Sequence, residues 1–153
     1  PLMILINQRL NIELPRMTKK QIDLHLRKPL ISNFATIRPD GSPHIVPVWH
    51  HFDGKNLMVL SETKSIKVRN IRHDSRVSIS IPQEEEHTGY DGYVQVNGNA
   101  NLFSSWDPKL LWEMAVNYLG TNDGTEYADN TYKEAEFILI SVTPTSMFGL
   151  ILS

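Results

Sequence analysis

The sequence predicts a mainly β fold, an antiparallel barrel with a few helices. Three observations predict it. Runs rich in β-branched and aromatic residues dominate the chain. The early runs are joined by tight-turn signals, Pro39-Asp40-Gly41 and Asp53-Gly54. Helix and strand patterns do not alternate strictly, as a doubly wound parallel sheet requires.

Thr18 is placed to cap a first helix, with Ile22, His25 and Leu26 at helical spacing and Pro29 ending it. Ile31–Arg38 reads as a strand and Pro43–Phe52 as its hairpin partner. Asn56–Leu60 is the third strand. A short helix follows over Ser65–His73. Arg76–Ile81 puts Val77, Ile79 and Ile81 on one face of a strand, and Gln83–Asp91 reads as an acidic loop. Gly92–Phe103 is a long strand in which Gly98 marks a bulge. Asp107-Pro108 starts a helix and Gly120 ends it. That helix carries two apolar sides: Leu110, Leu111, Met114, Ala115 and Tyr118 on one, Trp112, Val116 and Leu119 on the other. A second side of this kind predicts burial against a partner subunit. Thr121–Asn130, polar and with two glycines, Gly120 and Gly124, near its start, reads as a mobile loop, a lid or a plain connector. Glu136–Thr143 and Thr145–Leu150 close the sheet.

At 153 residues and 41% hydrophobic composition the chain has the size and core of one domain. A net charge of −2 argues against a nucleic-acid module, even one built on the basic helix. Without cysteine there is no disulfide, thiolate metal site or cysteine nucleophile. The apolar start Leu2–Ile6 is too short for a signal core or a membrane span, so the chain reads as soluble and cytoplasmic. Metal binding finds no support. His50 and His51 are strand neighbours facing opposite sides. His44 and His50 lie about 20 Å apart at the usual strand rise. Glu84-Glu85-Glu86-His87 reads as a charged loop, and Asp123, Glu126 and Asp129 lack the calcium-loop pattern.

The stretch that carries chemistry is Leu60–His73. A strand ends, hydroxyls cluster, and a helix begins, exposing unpaired N–H groups and the positive end of a helix dipole. Residues 62–76 hold five basic side chains against two acidic ones. A phosphate site and a solvated basic helix capped by Ser65 both fit this pattern.

Four runs carry a resemblance that favours the phosphate site. Residues Phe34–Trp49 resemble the first hairpin of the pyridoxamine-phosphate-oxidase-like superfamily. Lys67–Val77 resembles its K-x-R-N-L-R-x-D-P-R-V segment, with Ser75 at the proline position. Tyr93–Ala100 resembles its V-x-V-x-G-x-A strand, and Val142–Gly149 its closing I-x-P-x-x-V-x-G strands. The match runs from about residue 18 to residue 150 and leaves residues 1–17 as an N-terminal extension to a single domain.

The resemblance implies an antiparallel split β-barrel of the FMN-binding type. It implies FMN, or the deazaflavin coenzyme F420, at the seam of a homodimer. On that pattern Pro47, Val48 and Trp49 line the ring. Ser61, Thr63, Ser65, Lys67 and Asn70 hold the phosphate end, Lys67 first among them. Gln95 and Trp106 come from the partner subunit. The implied activity is that of an oxidoreductase on a small molecule, with His50, a tyrosine or solvent as proton donor. The alternative is a non-catalytic flavin- or haem-binding store or sensor. The chain ends Phe148–Ser153 without the arginine-rich segment of the oxidases that make pyridoxal phosphate, so that particular activity is not expected.

Overall fold

A computed structural model describes residues 13–83 and 90–152. The first part of the N-terminal extension, the acidic stretch 84–89 with Glu84–His87, and Ser153 lie outside the described residues. Helix α1 (Lys19–Leu26) is followed by strands β1 (Ser32–Ile37), β2 (Pro43–Val48), β3 (His51–Phe52) and β4 (Leu57–Glu62). Helix α2 (Ile66–His73) leads to β5 (Arg76–Gln83) and β6 (Gly92–Phe103). Helices α3 (Lys109–Leu119) and α4 (Thr121–Glu134) precede the last strand, β7 (Phe137–Ile151).

The seven strands form one sheet in the order β2-β1-β5-β6-β7-β4-β3, and each neighbouring pair is antiparallel. The two edge strands, β2 and β3, are consecutive in the chain and separated only by Trp49 and His50. Two residues span less than about 10 Å even when extended. The sheet therefore curls until its edges nearly meet, and covalent chain rather than a hydrogen-bond ladder closes it. The result is an antiparallel split β-barrel.

Local chemistry explains the elements. Thr18 forms a full capping box with Gln21: its hydroxyl accepts the Gln21 N–H, and the Gln21 side chain accepts the Thr18 N–H. The β1–β2 turn is fixed by Asp40, whose carboxylate accepts from the Ser42 N–H at 2.9 Å, and by Gly41 at φ 85°. Inward positions alternate along β1, β4, β5 and β6. Phe34, Leu57, Val59, Ile79, Ile81, Val94 and Val96 fill the barrel and are at most 1% exposed. α1 plugs one end with Leu26 and His25. The His25 Nε2–H donates to the Ile81 carbonyl (2.8 Å) and Nδ1 accepts from the Tyr90 hydroxyl (2.9 Å). A buried imidazole with both nitrogens engaged in this way stays neutral, and burial lowers its pKa.

Three sequence expectations need correction. Pro43–Phe52 is two strands, because His50 turns inward at the crossing and is 2% exposed. The closing strands are one, β7, which absorbs Pro144 at a bulge. The β6 register passes from Asn97 opposite Ser146 to Gly98 opposite Pro144, leaving Thr145 extra. Gly98 is required there, since a Cβ would press on the Thr143 carbonyl. Thr121–Asn130 is no loop: it forms most of α4, a helix packed along α3. Gly124 is buried against α3, where a Cβ would lie 2.5 Å from the Ala115 carbonyl oxygen. The glycine read as flexibility is a close helix–helix contact. The same helix meets the second apolar side of α3 at Trp112. Trp112 meets Tyr132 with ring centroids 5.4 Å apart and donates its Nε1–H to Asp129 at 2.9 Å. Of the apolarity assigned to a partner subunit, Trp112 is thus engaged within the chain, while Leu119 stays exposed.

Candidate functional site

A cavity of about 400 Å³ opens where the barrel seam meets the α3–α4 hairpin. Such a volume lies in the usual range for small-molecule sites. Pro47, Val48 and Trp49 supply one wall, where β2 ends and the chain crosses the split. Leu60 of β4 and Phe137 of β7 supply the floor. Leu111 and Met114 of α3, with Tyr127 of α4, complete the lining. Lys67 of α2 is the one charged side chain on this lining.

Lys67 is half-buried, and it makes no hydrogen bond or ion pair among the described residues. Burial pushes its ammonium pKa below the usual lysine value, partly opposed by Glu62 nearby. An unneutralised, desolvated cation on an apolar wall is a receptor for an anion.

The hydroxyls expected at the phosphate end divide. The Ser61 and Ser65 Oγ atoms lie 2.8 Å apart at the β4–α2 junction, and Ser65 also accepts the Val68 N–H as the helix cap. Both stand close in sequence to the cavity residues Leu60 and Lys67. Thr63 points elsewhere. Its hydroxyl donates to the Glu136 carbonyl (3.2 Å), in a depression it shares with Glu62, Glu134 and Glu136. Three carboxylates against the single ammonium of Lys64, which also lines it, make that spot unfavourable for phosphate. Asn70 is buried, and its Nδ2 donates to Thr36 Oγ1 at 2.9 Å, tying α2 to β1. It braces the helix and does not line the cavity.

Trp106 is not among the residues that line the cavity. It packs, like Trp49 and Leu60, against the buried cluster of Leu111, Ala115 and Ala128, and its Nε1–H donates to the Phe137 carbonyl at 3.2 Å. Gln95 lies outside the cavity on β6, where it donates to Ser78 Oγ at 2.5 Å. His50 is occupied. Its Nε2–H donates to the Leu26 carbonyl (2.7 Å) and Nδ1 accepts from Ser32 (2.6 Å). Burial holds its pKa at about 4. A ring so engaged braces the crossing and is poorly placed to deliver protons.

Sequence reasoning missed Tyr127, which went unnoticed because α4 was read as a loop.

The fold and site define an antiparallel split barrel with a ligand-sized cavity at its seam. The chain belongs to the pyridoxamine 5'-phosphate oxidase family, whose model matches residues 18–146. Among solved structures it is similar to an F420 reductase, at 26% identity and TM-score 0.64, over 82% of this chain and 94% of that one. It is also similar to an FAD-binding protein from Mesorhizobium loti (18%, TM-score 0.68, 91% and 96%). A third is HutZ, the haem storage protein from Vibrio cholerae (16%, TM-score 0.63, 86% and 93%). Among the described residues no helix is long and apolar enough to cross a membrane, and no cluster of metal-ligating side chains occurs.

Proposed function

We propose that the protein is an oxidoreductase that uses FMN or coenzyme F420 on a small molecule. The observation that carries this reading is the seam cavity, apolar and aromatic on its walls with the single cation Lys67 among them. That lining suits a flat ring system with an anionic tail. A flavin or deazaflavin, when bound, supplies the redox chemistry, so the protein needs chiefly to bind, orient and exclude water. The residues present fit those tasks. Pro47, Val48 and Trp49 form a rigid wall for the ring, and Lys67 holds the phosphate end with the Ser61–Ser65 hydroxyl pair. Asn70 and Thr63 fix the junction on which that pair stands, and Trp106 backs the wall from within the same chain. The reductase of the F420 class at 26% identity supports the deazaflavin form of this reading. The flavin form is supported by the FAD-binding relative at the level of fold.

A homodimer in the cytoplasm completes the proposal, with Gln95 reaching the partner's site. Its support on this chain is the exposed apolar surface beside the seam, Ile31 at 49% and Ile45 at 63% exposure. A second reading, a store or sensor without turnover, is favoured by the haem storage relative.

Mass spectrometry of the small molecule released on denaturing the purified protein tests the proposal. FMN or F420 is expected. Haem would replace the first reading with the second. Reduction of the bound molecule by NAD(P)H or a deazaflavin-reducing system separates enzyme from store.

A further inference from the structure

Eight lysines occur in the chain, and all lie among the described residues. Six are exposed; Lys28 and Lys67 alone are half-buried. Lys28 is engaged. Its Nζ donates to Gln83 Oε1 at 2.7 Å and stands 5.1 Å from the centroid of the Tyr90 ring. Lys67 has no tie of either kind among the described residues. Three features of its setting work against an ammonium. It lines the seam cavity with Trp49, Leu60, Leu111 and Phe137, side chains that solvate a charge poorly. It is the second residue of α2, at the positive end of the helix dipole, where a cation is disfavoured. The titratable groups that interact with it are Glu62 of β4, at longer range than an ion pair, and His44 of β2, so no carboxylate closes on it. Burial pulls its pKa below the ordinary lysine value, which makes the neutral amine more available than on an ordinary lysine. A neutral amine in an apolar cavity is a nucleophile toward carbonyl carbon.

We infer that Lys67 of the unliganded protein captures flat aromatic aldehydes as an imine, with the aromatic ring lodged in the seam cavity. A cavity of about 400 Å³ has room for such a ring, and Trp49, Tyr127 and Phe137 offer it aromatic contacts. The amine nitrogen bonds to the aldehyde carbon, and the carbonyl oxygen leaves as water with the two amine protons. No oxidant or reductant is needed. The one hydroxyl on the lining is that of Tyr127, a proton source for the departing oxygen. Capture does not depend on the flavin reading, but it bears on it. An imine at Lys67 removes the cation on which that reading places the phosphate, so aldehyde and cofactor compete.

The test incubates the full chain with benzaldehyde and sodium cyanoborohydride, which reduces an imine to a stable secondary amine, and maps the labelled lysines by peptide mass spectrometry. Lys67 is expected to be labelled several-fold faster than any exposed lysine. Lys67→Arg, which keeps the charge and loses the nucleophile, should lose the fast labelling. Glycolaldehyde, small and polar, gains little from the cavity and should prefer Lys67 less. Labelling of wild-type Lys67 no faster than the exposed lysines overturns the capture site, whether or not the variant folds. An equal preference with glycolaldehyde overturns the assignment to aromatic aldehydes. Saturating FMN or F420 should protect Lys67. Unchanged fast labelling in protein shown to bind either one refutes the phosphate role of Lys67 and still supports the capture site.

Discussion

The indole of Trp49 lies almost parallel to the ring of Tyr118, with centroids 4.9 Å apart and 13° between the planes. Tyr127 tilts against the same indole at 5.3 Å. Two tyrosines from the helical hairpin thus hold the residue that crosses the barrel seam. The Tyr118 hydroxyl extends the contact by accepting the His50 N–H (3.1 Å) and donating to the Leu30 carbonyl (2.7 Å). Burial pushes its pKa up to about 12, so it stays a donor at any working pH. Tyr118→Phe leaves two backbone groups unpartnered and keeps the stack. A loss of about 1–3 kcal/mol is expected in urea unfolding; an unchanged midpoint would show that the seam does not depend on this hydroxyl.

His50 sets a pH dependence. Its folded pKa, about 4, lies below the ordinary 6.5 of the unfolded chain. The unfolded state therefore takes up the proton first as pH falls. The stabilising contribution is complete above pH 6.5 and is lost progressively down to about pH 4. The loss reaches up to about 3 kcal/mol, with His25 acting in the same direction. Stability measured from pH 7.5 to 4 should fall over this window, and the fall should be shallower in His50→Gln. A His50 ring that titrates near 6.5 by proton NMR would contradict this account.

Gly124→Ala reverses a general rule. In an exposed helix the change gains about 1 kcal/mol. Here the new Cβ would meet the Ala115 carbonyl at 2.5 Å, backbone against backbone. We expect a net loss of about 1–3 kcal/mol. Amide exchange at Gly124–Asn130 should be slow in the ligand-free wild type and faster in the variant. Random-coil exchange in the wild type would mean that α4 is not docked.

Lys67→Ala should weaken FMN or F420 by about 1.5–3 kcal/mol. The fold should survive, since the ammonium is desolvated without an ion pair. Isothermal titration of the apo protein measures the first effect and urea unfolding the second. Equal affinities would remove Lys67 from the site.

Light scattering at micromolar concentration should give the mass of a twofold dimer, and Ile45→Asp should yield monomer with its helix and strand content intact. A monomeric wild type would count decisively against the shared site.

Much of the fold was legible in the sequence. The hairpin turn at Asp40-Gly41, the Thr18 cap and the inward series Val77, Ile79, Ile81 each depend on neighbours a few residues away. The bulge at Gly98 was legible as a glycine among alternating side chains, but its partner Thr145 was not. The element that escaped was α4, whose only buried residues are Gly124 and Ala128. Two small side chains four residues apart leave no hydrophobic stripe, although they suffice for a helix that rests on another helix's backbone. At the site, Lys67 and the Pro47–Trp49 wall could be named from their runs. The separation of Thr63 and Asn70 from the cavity follows from contacts with distant elements, the Glu136 carbonyl and Thr36.

β7 is made last among the described strands, yet it sits between β6 and β4 in the sheet. On a ribosome, β4 emerges some seventy-five residues before the segment that must pair with it, Phe137–Val142. Until that segment arrives, both flanks of the gap are raw strand edges able to pair with another chain. The loop to be closed is long, which places folding among the slow, topology-limited cases, about milliseconds to seconds. The nascent chain is thus most exposed to aggregation just before β7 emerges, and substitutions that weaken β7 should lower the yield of soluble protein more than their effect on the folded sheet would suggest.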